Sequence, residues 1–216
     1  MLNEKLHSYI DGLICERHPL LMEMEDYAKA HGVPIMELAG IETMLQLLRL
    51  HRSRRILEVG TAIGYSALRI AAALPESQII TIERDEERIQ LAKAFISRSE
   101  HGGRVTIIEG DALEVVDQVS QYAPFDAIFI DAAKGQYQKF FELYSKYLNG
   151  DGMIITDNVL FKGLVAQQEI ESKRTRNLVR KIDGFNHWLM NHPDYDSVIL
   201  PVGDGVAVSK RRGERI

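Results

Sequence analysis

Short apolar runs and amphipathic stretches alternate through the middle of the chain. "RRILEVG" (54–60), "QIITIER" (78–84), "RVTIIEGD" (104–111), "FDAIFID" (125–131) and "MIITD" (153–157) are brief and rich in β-branched residues, and each runs into a glycine or a charged residue. Runs of this kind predict strands buried on both faces. Between them, "SALRIAAAL" (66–74), "DEERIQLAKAFISRS" (85–99), "ALEVVDQV" (112–119) and "QYQKFFELYSKYL" (136–148) read as helices, the second opened by Asp85 as N-cap. Strand–helix alternation predicts a parallel sheet covered by helices on both sides, with right-handed crossovers.

The two ends of the chain read differently. Residues 1–51 read as helices: Leu6, Ile10, Leu13 and Ile14 recur at helical spacing, as do Ile41, Leu45, Leu48 and Leu50 less strictly, with breaks at Pro19 and "HGVP". "NGDG" (149–152) predicts a turn, "NVLFKGLVAQQ" (158–168) a loop or short helix, and Ser172 to Asn191 a polar helix. "YDSVILPVGDGVAVSK" (195–210) reads as two strands around "VGDG", a hairpin. Five parallel strands with an antiparallel ending make seven. The division expected is one domain over 1–216, with a helical cap at 1–51 and a core at 52–216.

Composition narrows the classes. The chain has 216 residues, 45% of them apolar, enough for one packed core. Its net charge of −5 excludes a globally basic nucleic-acid binder but permits a local basic face. The single cysteine, Cys15, forms no internal disulfide and no multi-thiolate zinc site, and is expected to be a small buried apolar residue. "MLNEKLHSYIDGL" carries acids and lacks an apolar segment, so no signal peptide is expected, and no run is long enough to span a membrane. A cytoplasmic location is expected.

Ligands of open parallel sheets bind beyond the carboxyl ends of the strands. Those ends carry "EVGTAIGYS", Glu83, "EGDA", Asp131, and Asp157 with Asn158. Gly60 and Gly64 allow close backbone approach before a helix N-terminus near Tyr65 and Ser66. The same glycines also suit tight strand–helix packing. Glu83, roughly 20 residues beyond Gly60, is placed for two ribose hydroxyls, and Asp111 for an adenine amino group; together they indicate bound adenosine. Asp131, Asp157 and Asn158 are three hard oxygen donors without His or Cys, a set that suits Mg²⁺, or else helix caps. Lys134 is unfavourable at a helix start unless it has work in the site; base and electrostatic roles are both open.

These segments together resemble the cation-dependent class I O-methyltransferases that use S-adenosylmethionine, the catechol and caffeoyl-CoA group. The motifs that carry the resemblance are "ILEVGTAIGYSAL", "TIERD", "EGDA", "IFIDAAKGQY" and "IITDNVLFKG". "VPIMELAG", "DAAKGQYQKFF", "TDNVLFKGLVA" and "NHWLMNHPDY" are similar to the bacterial tRNA 5-hydroxyuridine methyltransferases, which make 5-methoxyuridine at the wobble position. The resemblance implies a Rossmann-like class I methyltransferase fold. It implies that Met36, Glu58, Gly60, Thr61, Ser66, Glu83, Arg84, Asp111, Ala112 and Asp131 hold S-adenosylmethionine. It further implies that Asp131, Asp157 and Asn158 hold Mg²⁺, that Lys134 and Asp131 are catalytic, and that the protein is a homodimer acting on tRNA. "DAAKGQY" departs from the catechol enzymes, which place bulky residues between acid and lysine.

Two basic stretches bear on the substrate. Lys162, Lys173, Arg174, Arg176, Arg180 and Lys181 outnumber the acids between 162 and 183, and Lys210, Arg211, Arg212 and Arg215 outnumber Glu214 in the tail. Both are expected as phosphate-binding surface, or as solvated faces. Trp188 with His187 and His192 either stacks on a base or finishes a helix against the core. A small catechol-like substrate is the alternative to RNA, and a non-catalytic adenosine-binding module a further one.

Overall fold

The computed structural model describes residues 4–167 and 169–213, so Glu214 and Arg215 of the tail and Gln168 lie outside the described residues. The helices are α1 (Glu4–Leu13), α2 (Pro19–His31), α3 (Leu38–His51), α4 (Tyr65–Ala73), α5 (Glu86–Ser97), α6 (Val116–Ser120), α7 (Tyr137–Tyr144) and α8 (Lys173–Met190). The strands are β1 (Arg55–Val59), β2 (Gln78–Glu83), β3 (Val105–Glu109), β4 (Phe125–Ile130), β5 (Leu148–Thr156), β6 (Tyr195–Leu200) and β7 (Val206–Arg211). They form one sheet in the order β3-β2-β1-β4-β5-β7-β6. β1 to β5 are parallel, and β7 runs antiparallel to both β5 and β6. The expected architecture is the one observed.

Period-two alternation along the strands sends side chains into two cores. Ile56, Ala127, Phe129 and Ile155 pack beneath α2 to α5 with Met44, Leu45, Ala67 and Phe95. Leu57, Ile128, Ile130 and Ile154 pack beneath α6 to α8 with Val119, Phe140, Phe185 and Leu189. Burying each such Leu, Ile or Phe contributes about 1.5–3 kcal/mol, so the central strands hold the strand ends rigidly. Asp85 caps α5 by accepting from the Arg88 amide at 3.1 Å, as the sequence predicts.

Several local expectations need correction. "ALEVVDQV" is helical only from Val116, because Asp111 accepts the Leu113 amide and holds a turn there instead. "NGDG" is absorbed into β5, whose pairing with β4 is irregular between Phe125 and Ala127. The 136–148 helix ends at Tyr144 and finishes as a 3-10 turn. Residues 161–166 form a kinked 3-10 segment, with Phe161 and Lys162 in the left-handed region. Cys15 is exposed, not buried. Leu50 is 73% exposed while Leu48 is buried, so only part of the α3 pattern faces the core. Trp188 stacks on Phe185 and meets Phe141 and His192 edge-on, the packing role. Among the described residues no helix is long and apolar enough to cross a membrane.

Candidate active site

One row of residues across the sheet builds the site. Val59, Ile130, Thr156 and Ala207 are in register on β1, β4, β5 and β7. The next residue on each parallel strand therefore emerges at the same edge, and the ladder continues there: the Asp131 amide donates to Val59 O at 3.0 Å and the Asp157 amide to Ile130 O at 3.1 Å. Gly60 sits beside them at φ +109°, and a Cβ there would stand 2.2 Å from the Asp131 carbonyl oxygen. Gly64, also left-handed, faces Ile96 and Ala92 of α5. Close packing thus explains both glycines whatever ligand is bound.

Above this edge lies a cavity of about 730 Å³. Glu83, Arg84, Asp111 and Ala112 line it beyond β2 and β3, and Asp131, Lys134, Asp157 and Asn158 line it beyond β4 and β5, with Lys162 and Asp204. Pro34, Ile35 and Met36, from the segment between α2 and α3, add to its wall.

The Glu83 carboxylate is preset by three backbone donors: Ala62 at 2.9 Å on one oxygen, Arg84 at 2.9 Å and Asp85 at 3.0 Å on the other. Accepting these bonds fixes its orientation and leaves lone pairs for a diol. Asp111 accepts from the Leu113 amide at 2.9 Å and pairs with Arg84 at 3.0 Å; these contacts, the amide first, hold its carboxyl below the usual range.

Three residues expected at the cofactor lie behind this wall. Glu58, Thr61 and Ser66 do not line the cavity. Ser66 and Thr81 both donate to the Glu58 carboxylate, and the Thr61 and Thr81 hydroxyls are 2.6 Å apart. The network ties β1, the glycine turn and α4 together. Burial raises Glu58 from 4.5 to about 7, against the lowering by Ser66 and Thr81. Its folded pKa lies above its unfolded one, so its contribution is fully present below about 4.5 and is lost as pH rises to about 7. Glu58→Gln carries no such titration. Wild type should lose on the order of 2 kcal/mol relative to this variant between about pH 5.5 and pH 8. Denaturant midpoints at several pH values check this, and a constant difference would refute it.

Beyond β4 and β5, Asp131, Asp157 and Asn158 come together. The Asn158 amide nitrogen donates to Asp131 at 3.2 Å and to Asp157 at 2.8 Å. Asn158 is left-handed, φ 61°, a conformation that Asn tolerates better than most residues. Burial raises both carboxyls, Asp157 well above its ordinary value with the Asp131 charge adding to it. Burial lowers Lys134, against the pull of Asp131, Asp157 and Asp204. The Lys134 ammonium also stands 5.7 Å from the Phe161 ring centroid.

One buried acid, Asp157, and one half-buried acid, Asp131, beside a single lysine leave a negative excess that a cation would balance. Among the described residues no group of three or more His, Cys, Asp or Glu suits a metal; the third donor here is an amide. Turning the Asn158 amide over would present its oxygen beside the two carboxylates, completing a hard set for Mg²⁺.

Asp204 is the site residue that the sequence reading missed. Because β7 is antiparallel, the β6–β7 turn returns to the carboxyl edge of the parallel strands. Its backbone holds the loop after β5: Asp204 O accepts from Leu160 at 2.8 Å and Gly205 O from Val159 at 3.0 Å. The acid flanked by glycines in "VGDG" was the available signal. Tyr137 was also missed. Its buried hydroxyl has no hydrogen-bond partner among the described residues, and burial, then Asp131, Asp157 and Asp204, raise its pKa.

The same direction of β7 sets the place of the tail cations. Lys210, Arg211 and Arg212 are carried to the opposite end of the sheet from the cavity. There Lys210 pairs with Asp151, Arg212 with Asp196, and Arg211 donates to Ser145 O.

A sheet of this order, with carboxylates at neighbouring strand ends and an acid-rich cavity above them, is the frame of a group-transfer enzyme with an adenosine-type ligand. The chain belongs to the O-methyltransferase family, whose model matches residues 13–212. It is 31% identical to a catechol O-methyltransferase of Niastella koreensis over 216 residues, covering 95% of this chain and 96% of that protein. The solved structure of a proposed caffeoyl-CoA O-methyltransferase from Staphylococcus aureus superposes with a TM-score of 0.90 at 37% identity, covering 95% of this chain and 99% of that one. A Bacillus cereus O-methyltransferase solved in complex with SAH gives 0.81 at 26%, covering 96% and 97%.

Proposed function

We propose that this chain transfers the methyl group of S-adenosylmethionine to the 5-hydroxyl of 5-hydroxyuridine at the tRNA wobble position, with Mg²⁺ held by Asp131, Asp157 and Asn158. One observation carries the reading: the three hard donors lie beside a half-buried Lys134 in the same cavity as the preset Glu83 carboxylate.

S-adenosylmethionine would supply the methyl group, and Glu83, Asp111 and Met36, which line the cavity, would hold its ribose, adenine and methionine parts. A hard divalent cation supplies positive charge that makes a hydroxyl more acidic. The chain must then hold the acceptor oxygen about 3 Å from the methyl carbon and in line with the departing sulfur. Lys134, lowered by burial, takes the hydroxyl proton as the C–O bond forms. Closure by the 34–37 segment excludes water from the donor.

An RNA acceptor is supported by the cations of α8 beside the cavity mouth and by the segments similar to tRNA methyltransferases. A small catechol is the second reading, favoured by the likeness to the Niastella koreensis enzyme. The assay is purified protein with S-adenosylmethionine and Mg²⁺, offered tRNA bearing 5-hydroxyuridine or a catechol. Mass spectrometry should show 5-methoxyuridine, lost with chelator. Methylation of the catechol alone would transfer the conclusion to the second reading. The homodimer belongs to the same proposal: Leu6, Tyr9 and Leu13 on α1 are 40%, 63% and 66% exposed, apolar surface suited to a second copy.

A further inference from the structure

Resting on the RNA reading above, we infer that Lys162, Arg174 and Lys181 form a phosphate clamp at the cavity mouth. The cations of the 162–181 segment are not equivalent. Arg174, Leu178 and Lys181 recur at i, i+4 and i+7 and so share one side of α8. Leu178 lines the cavity, which turns that side toward the site. The buried side of the helix, with Val179, Ile182, Phe185 and Leu189, faces the core.

Lys181 reaches over the turn that carries Lys134. A Cβ on Gly135 would stand 3.3 Å from both Cδ and Nζ of Lys181. Gly135 is not among the left-handed glycines, so its backbone does not require glycine. A Cβ there would ask the Lys181 tip to give by only a few tenths of an ångström, so the contact places Lys181 over this turn without requiring glycine. Lys162 lines the opposite wall from its own left-handed position. Among the described residues Lys162, Arg174 and Lys181 make no ion pair.

Arg176 is different. Its guanidinium donates to Ile170 O at 2.8 Å and Glu171 O at 3.3 Å, closing the loop before α8. It is a local fastening. The resulting charge arrangement is graded: Asp131, Asp157 and Asp204 at the floor, unpaired cations at the rim. A neutral base entering with its hydroxyl toward the floor would leave flanking phosphates at the rim. An uncharged phenol would leave the cations unused. A coenzyme A thioester also carries phosphates, so the experiment must separate the two sources.

The probe is a fluorescent anticodon stem-loop RNA without the reactive hydroxyl, titrated at several salt concentrations. Wild type should bind with a salt slope that falls by about two units in Arg174→Gln/Lys181→Gln, with affinity roughly tenfold weaker near physiological salt. Lys181→Arg should retain the slope. Arg176→Gln and Lys210→Gln should match wild type. S-adenosylmethionine affinity reports that each variant is folded. If wild type methylates tRNA yet the double variant keeps the full slope, the clamp is refuted and the RNA reading stands. If wild type does not bind the RNA but binds coenzyme A through Lys181, both fall.

Discussion

Asp157→Ala should abolish methyl transfer, with kcat down by about 10³-fold or more, while S-adenosylmethionine still binds. The several kcal/mol that a bound cation contributes to stabilising the developing oxyanion corresponds to that factor. Asp157 is suited to this test because it is nearly fully buried at the end of β5, where its carboxylate accepts from the Asn158 side-chain amide. Glu83 and Asp111 lie beyond β2 and β3 and keep their backbone bonds in the variant. Stability should move the opposite way. A buried carboxylate raised well above its ordinary value is costly to keep charged at neutral pH. Asp157→Asn should therefore melt at the same or a higher temperature than wild type in chelator, and gain nothing from added Mg²⁺. Single-turnover methylation and melting curves with and without cation check both statements. Activity within tenfold of wild type would remove Asp157 from the site.

Lys134→Gln should lower kcat by about 10²–10⁴-fold, the scale of general-base catalysis, with KM changed little. Gln is one atom shorter and uncharged, and it accepts no proton. Burial favours the neutral amine, while Asp131, Asp157 and Asp204 favour the ammonium. Because the lysine pKa is lowered, the neutral base is populated at lower pH than an ordinary lysine allows. Wild-type kcat should rise with pH through that lowered pKa, and the variant should lose this limb. If the variant is slow but keeps the limb, Lys134 acts only by its charge on the oxyanion.

Strands and helices of the core were legible because their signals are local. Each strand is a short apolar run that meets a glycine or a charged residue, and such runs survive any choice of neighbours. The strand-end acids were legible for the same reason, since a parallel sheet puts all its carboxyl ends on one edge. Helix ends were less so. The turn at Asp111 and the 3-10 finish of α7 depend on side-chain bonds that compete with the helix.

Glu58, Thr61 and Ser66 mark a limit of motif reading. They stand in or beside the glycine turn at the end of β1, yet their side chains bond to one another or to Thr81. Position along a strand alternates between faces, and a one-residue difference separates a wall from a buried support.

The sequence alone determined the alternating βα order, the two-sided burial, and the strand-end residues that line the cavity, Glu83, Asp111, Asp131, Lys134, Asp157 and Asn158. All of these follow from periodicity and from residue type at the ends of apolar runs. Only the tertiary structure decided which residues stand beside them. The antiparallel direction of β7 brings Asp204 to the cavity and carries Lys210 to Arg212 away from it. The docking of α8 turns Leu178 to the cavity and lays Lys181 over Gly135, while Arg176 is fastened to its own loop. Strand direction and helix rotation are set by packing between segments far apart in the chain, and no local pattern records them.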